Sequence, residues 1–347
     1  METGHAVRVG DAREAALPPE SVELVVTSPP YPMIEMWDDV FRAQSADADA
    51  ALAAGDGPAA FEAMHELLAP VWEQVARALV PGGIACVNVG DATRSVGGEF
   101  GLYPNHVAVA RRLRAAGLRQ LPGVLWRKPV NRATKFMGSG MLPPNAYPTL
   151  EHEHVLVFRK GGTRRLPAGD DARYESAYFW EERNRWFSDL WELAGASQSI
   201  DASRDRSGAF PVELPLRLVR MFSLQGDTVW DPFWGTGTTT LAAMLAARGS
   251  VGHEIDDRLV DRFPDRIEGL PGRSRERARE RLADHADWAA GRDDLEYAAE
   301  QYDFPVMTRQ ERRIRPRRVT DVEKGTPETP LSAVTAGYRC THAPVDF

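Results

Sequence analysis

The stretch from 226 to 256, GDTVWDPFWGTGTTTLAAMLAARGSVGHEID, limits the fold more tightly than anything else in the chain. Val229 and Trp230 end an apolar strand, Gly235 and Gly237 permit a sharp turn, a helix follows, and a second strand closes at Glu254. Two strands joined through one helix lie parallel in a single sheet. The helix carries Ala242, Ala243, Ala246 and Ala247, small enough to pack closely on that sheet. Glycines in the turn let a ligand approach the backbone, and the free amides at the helix start favour an anionic group. Glu254 then stands where a site of this type holds a ribose diol. GTGTTT lacks the third glycine of the dinucleotide fingerprint, and no Gly-Lys-Ser/Thr follows to make a phosphate-binding loop, so neither NAD nor ATP is favoured.

The rest of the chain extends this unit. AVRVGDA (6 to 12) and VELVVTSPP (22 to 30) read as short strands ending in turns; AFEAMHELLAPVWEQVARALVPGG (60 to 83) has helical spacing and a Pro-Gly-Gly stop. IACVNVGD is a strand, NHVAVARRLRAAGL an amphipathic helix, and EHEHVLVFRKGG a strand again. This alternation predicts an α/β fold with a doubly wound sheet. Residues 41 to 62, rich in Ala and Asp, read as a surface insertion. Regularity breaks between 127 and 209, apart from a core strand near 153–159, and returns with the helix FPVELPLRLVRMFSL. These shifts divide the chain into 1–126, 127–209, 210–262 and 263–347, the last expected to be a charged helical extension with an irregular tail.

Composition narrows the function classes. The 347 residues are 43% hydrophobic, enough for one sizeable core and a smaller appendage. No stretch approaches the roughly 20 apolar residues of a membrane span, and a secretory signal layout is missing, so the expected location is cytoplasmic, with no membrane partner. Net charge is −8, which argues against indiscriminate nucleic-acid binding but not against local arginine patches. Cys86 and Cys340 are too few for a disulfide framework or a four-cysteine zinc site, and Cys86 sits in an apolar run as a core residue. His152 and His154 alternate along a strand without matching Cys or His spacing elsewhere, so no metal is expected.

TSPPY, ending the second strand, resembles the catalytic loop of the amino-methyltransferases of DNA, and DPFWGTGTT with GHEID is similar to their cofactor motif. The order, catalytic loop first, matches the permuted beta class of that family. GDA at 10 to 12 resembles its adenine-contacting loop, and ALVPGG, EHEHVLVF and FPVELPLRLV resemble further stations, so the likeness covers roughly residues 6 to 262. It implies a Rossmann-like methyltransferase fold with a mostly parallel central sheet, S-adenosyl-L-methionine as cofactor and double-stranded DNA as substrate. The first and third segments become the catalytic and cofactor-binding halves, and 127–209 the target-recognition region. A restriction-modification or orphan modification role follows, the former with a cognate restriction endonuclease as partner.

The resemblance also distributes roles. Asp231, Phe233, Gly235, Gly237 and Thr238 cradle the methionine side of the cofactor, Glu254 the ribose hydroxyls and Asp11 the adenine amine. His253 stands where the family has a small or apolar residue. Ser28, Pro29, Pro30 and Tyr31 form the pocket for a nucleotide flipped out of the duplex. In it Ser28 and the Pro29 carbonyl accept hydrogen bonds, Tyr31 stacks on the base, and the two prolines hold the backbone in place. A Ser at the head of this loop points to cytosine-N4, whereas adenine-N6 enzymes begin it with Asp or Asn; a flipped cytosine in RNA would satisfy the same loop. Methylation at ring carbon 5 needs a cysteine nucleophile after a proline, a context neither cysteine has. Asn131, Arg132 and Lys135, with Arg183 and Arg185, suit phosphate anchoring and base-edge reading. Arg309 to Arg318 reads either as a solvated linker or as a DNA contact.

Overall fold

The computed structural model describes residues 1–128, 137–194, 210–331 and 333–347. Among the described residues ten strands form the main sheet: β1 (Glu2–Val9), β2 (Val22–Thr27), β3 (Leu79–Val89), β4 (Leu118–Arg127), β5 (His152–Lys160), β6 (Leu190–Glu192), β7 (Thr228–Asp231), β8 (Gly249–Glu254), β9 (Arg317–Lys324) and β10 (Ala336–Pro344). Their order is β6-β4-β5-β3-β2-β7-β8-β1-β10-β9. The run β3-β2-β7-β8-β1 is parallel throughout, while β5 and β10 pair antiparallel with its two outer members. The carboxyl ends of β2, β7, β8 and β1 therefore open on one edge, where ligands of open α/β sheets bind.

Both faces of the parallel strands are covered, which is why they read as unbroken apolar runs. Leu24 and Val26 turn to one side, where they pack with Val229 against the helices α5 (Glu213–Phe222) and α6 (Thr238–Leu245). Val25, Trp230 and Val251 turn to the other, against α3 (Gly57–Ala78) and α4 (Asn105–Ala115) through Trp72, Val75, Val109 and Leu113. Asp56 caps α3 by accepting the Ala59 N–H at 3.0 Å, and Pro58 sits in the first turn, where its missing N–H costs nothing. The Pro-Gly-Gly that reads as a helix stop lies near the start of β3, after α3 has ended at Ala78.

Two expectations from sequence are corrected. Residues 41–62 are not a surface insertion: α1 (Asp38–Gln44) and α2 (Ala46–Ala54) pack on α3, burying Phe41, Ala48 and Leu52 against Met33, Met64 and Leu68. Alanines allow that close approach, and Asp47 and Asp49 stay on the outer side, which disguises the segment as polar. The tail is not irregular either. After α7 (Leu270–Ala290), β9 and β10 extend the sheet, and β10 covers the outer edge of β1 with Tyr338, Cys340 and His342 buried. The arginine run is a structured seam: Arg313 pairs with Asp171, Arg312 with Glu300 at 3.3 Å, and Arg317 with Glu175 at 2.8 Å. None of the described helices is long and apolar enough to cross a membrane.

Candidate active site

The loops that follow β1, β2, β7 and β8 enclose a cavity of about 660 Å³ with α1 and α3 as its side wall. Asp11, Ser28, Pro29, Pro30, Tyr31, Asp231, Phe233, Gly235, Thr238 and Glu254 all line it, so residues more than 200 positions apart share one space. Gly237 lies beneath the wall and shapes the turn.

Backbone geometry explains the glycines. Gly235 has φ +57° and Gly237 φ +76°, in the left-handed region that side chains disfavour. A Cβ on Gly237 would come within 2.5 Å of Phe263 and 2.6 Å of Trp234, both buried, whereas one on Gly235 would meet nothing closer than 3.8 Å. Gly235→Ala should thus cost only backbone strain, about 1 to 2 kcal/mol, and Gly237→Ala that strain plus an overpacking cost of about 1 to 3 kcal/mol. Urea unfolding of the two variants checks the ranking; equal losses would show that the aromatic floor yields freely. Gly237 therefore serves the fold as well as the turn.

Trp234 is that floor: its ring packs beneath the turn and its indole N–H donates to Thr240 Oγ1 at 2.7 Å. Arg266, unforeseen from sequence, clamps the turn from the side, donating to the Thr236 carbonyl at 2.6 Å and to Thr238 Oγ1 at 3.0 Å. Glu254 ties the end of β8 to the same loop, accepting the Gly235 N–H at 2.7 Å and the Asp256 N–H at 2.9 Å. Burial raises its pKa, and these backbone bonds oppose the rise.

Asp231 is buried and accepts the Thr27 hydroxyl at 2.6 Å and the Phe233 N–H at 3.1 Å. Burial outweighs those bonds and pushes its carboxyl up to about 6, since no cation faces it among the described residues. Asp11 differs. Burial raises its pKa, but the Arg13 side chain and backbone N–H more than offset this, leaving the carboxyl below its ordinary value. Arg13 also reaches Gln44 of α1 at 2.7 Å, which links that helix to the cavity. His253 lines the cavity with its Nδ1 accepting the Trp230 indole N–H at 3.1 Å.

The loop after β2 is organised from below. The Tyr31 hydroxyl donates to Glu153 Oε2 at 2.9 Å and receives the Asn88 amide at 2.9 Å; Ser28 Oγ lies 2.8 Å away. Asn88 also donates to Glu153 at 2.6 Å, and Lys128 forms an ion pair with the same carboxylate. A phenol has one proton. With that proton given to Glu153, the bond between Ser28 and Tyr31 takes its proton from Ser28, and the lone pairs of Ser28 stay free as acceptors. Burial and the Glu153 charge raise the Tyr31 pKa far above its ordinary value, so the phenol stays protonated. Asn88, Lys128 and Glu153 were all missed in sequence; the available signal was a carboxylate alternating into an otherwise apolar strand.

Of the expected recognition residues, only Arg183 and Arg185 are described, and neither lines this cavity. Asn131, Arg132 and Lys135 lie outside the described residues. Arg183 and Arg185 are exposed on the short helix Trp180–Trp186, whose inner side packs on α7 through the Glu182 ion pair with Arg281 at 2.6 Å. Both face solvent, apart from the wall that holds Ser28.

Comparison with known proteins places the chain in a family. A family model described as DNA methylase matches residues 22–263. The chain is 45% identical over 322 residues to the Type II methyltransferase M.MthZI of Methanothermobacter thermautotrophicus, covering 91% of this chain and 90% of that protein. It is 47% identical over 279 residues to the Type II methyltransferase M.MjaI of Methanocaldococcus jannaschii, covering 77% and 92%. Among solved structures, a Thermus thermophilus protein provisionally described as a DNA modification methylase, complexed with S-adenosyl-L-methionine, aligns with TM-score 0.61 at 33% identity over 77% of this chain and 95% of that one.

Proposed function

The chain belongs to the DNA methylase family and uses S-adenosyl-L-methionine; from that premise we propose that it methylates the exocyclic N4 amine of cytosine at a specific site in double-stranded DNA. The observation that carries the reading is the shared cavity: Ser28 and Tyr31 line the same space as Asp231, Gly235 and Glu254.

The residues suit the cofactor. The turn through Gly235 brings bare backbone to the cavity, Asp231 offers a buried carboxylate with no counter-charge among the described residues, and Glu254 and Asp11 keep acceptor capacity at the two ends. Asp231 would pair with the methionine ammonium, Glu254 with the ribose hydroxyls and Asp11 with the adenine amine. Bound there, the cofactor supplies an electrophilic methyl on a sulfonium.

The chain's own work lies in positioning. A flipped base rests against Tyr31, with its amine between Ser28 Oγ and the Pro29 carbonyl. Drawing both amine protons toward these acceptors makes the nitrogen more tetrahedral and frees its lone pair from the ring. Tyr31 and Glu153 hold Ser28 in its accepting orientation, so no reorganisation is needed during the transfer. The methylated amine is then acidic enough to lose a proton without a strong base. Serine at the head of the loop favours cytosine through the family resemblance, and the recognition residues from 127 to 209 are proposed to read the flanking sequence. The Type II relatives suggest a place in restriction-modification. Modification-sensitive sequencing of DNA from a methylation-free host expressing the chain tests this: N4-methylcytosine in one short motif supports it, and unmodified DNA refutes it.

Asp231 gives a pH prediction. Its folded pKa, about 6, lies above that of an unfolded carboxyl. The folded state thus holds more protons between about pH 4 and 6, and the stability Asp231 contributes is lost as pH rises through that window, by up to about 3 kcal/mol. Asp231→Asn keeps an oxygen for Thr27 and Phe233, so it should unfold at higher urea than the parent at pH 8 and nearly equally at pH 4. Its affinity for the cofactor should collapse. Parent affinity should itself weaken as pH falls below about 6, because an ammonium partner requires the ionised acid. Calorimetry across pH 5 to 8 reads this, and a flat profile would remove Asp231 from the ammonium site.

A further inference from the structure

At the end of β3 the structure supplies what the pair His152 and His154 lacked in sequence. Asp91 follows β3, His106 opens α4, His154 lies on β5, and one ligand atom from each falls within 4.8 Å of the others. His106 Nδ1 is 2.7 Å from Asp91 Oδ2, and His154 Nε2 is 3.9 Å from the same oxygen. Donor separations in a tetrahedral zinc site are roughly 3.3 Å, between those two values. The rings of His106 and His154 lie 3.9 Å apart, and that of His152 is 5.0 Å from His154 on the same side of β5. All three groups are half-buried, so an ion has both a shell and an entry path.

We propose that Asp91, His106 and His154 form a binding site for a divalent transition ion of the zinc class, with water or His152 completing the coordination. Imidazole and carboxylate are the donors such ions take, and a small rotation of the stacked rings would converge them. The ion would fasten three elements that meet beside the active site. One of them, β5, carries Glu153, the residue next to His154. The Asp91 and His106 hydrogen bonds hold the donors close together before an ion arrives.

Titrating the metal-stripped full chain with Zn²⁺, and with Co²⁺ as a coloured probe, tests the site. We expect one equivalent at micromolar or tighter affinity and visible cobalt bands of a site with nitrogen donors. His106→Ala and His154→Ala should each weaken binding at least about tenfold, while S-adenosyl-L-methionine affinity stays unchanged as a check on folding. His106→Gln serves if the alanine variant misfolds. A second cluster, His5 of β1 with Cys340 and His342 of β10, is fully buried and provides the control. Zinc that survives the loss of His106 and His154 but leaves with His342→Gln would overturn the proposal, as would an absence of binding.

Discussion

Ser28→Ala is expected to slow methyl transfer about 100- to 1,000-fold, the range seen when one preorganised polar group is removed from a reaction site. S-adenosyl-L-methionine affinity should stay nearly unchanged, because Ser28 sits on the β2 loop and the cofactor is proposed to rest on the β1, β7 and β8 loops. The loss should fall mainly on kcat. A serine that aligns the amine only as its nitrogen rehybridises contributes to the transition state more than to DNA binding. Single-turnover kinetics with saturating DNA separate the two effects. A purely raised KM with normal kcat would assign Ser28 to binding.

The next largest effect is expected at Glu153. Without its carboxylate the Tyr31 phenol has, among the described residues, no acceptor except Ser28, so the proton between them reverses and occupies a Ser28 lone pair. Glu153→Ala should therefore slow transfer by about two orders of magnitude, the lower end of the range for a misdirected proton-handling group. Asn88 and Lys128 lose their shared partner, at a stability cost of about 1 to 3 kcal/mol. Glu153→Gln can still accept from Tyr31 and should recover much of both losses. The telling comparison is the double variant: if Glu153 acts through Ser28, Ser28→Ala with Glu153→Ala should be no slower than Ser28→Ala alone. Additive losses would mean that Glu153 has an independent role.

The parallel centre of the fold was legible because each of its strands announces itself locally. Val22 to Val26 and Val229 to Trp230 are largely buried on both faces, and the glycine turn after Trp230 requires a backbone only glycine adopts readily. The cavity-lining residues of the loops after β1, β2, β7 and β8 were legible for the same reason: their chemistry is written in contiguous residues. What escaped was relational. Glu153 reaches Tyr31 only because β5 pairs antiparallel with β3, placing Val155 opposite Asn88 and Glu153 diagonal to it. No local pattern encodes that register. Arg13 and Arg266 act by reaching back to a neighbouring carboxylate or turn, and Asp91, His106 and His154 meet only where three elements end together. The tail misled because β10 alternates buried Tyr338, Cys340 and His342 with Arg339 and Thr341, too short and polar a run to read as a strand before β1 is known to lie beside it.

The most direct measurement is mass spectrometry of nucleosides from duplex DNA incubated with the chain and methyl-labelled S-adenosyl-L-methionine. The proposed mechanism predicts label in N4-methylcytosine with the wild-type chain and almost none with Ser28→Ala. Label confined to N6-methyladenine would contradict the base assignment, and a Ser28→Ala, Tyr31→Ala double variant that labels DNA at full rate would contradict the mechanism.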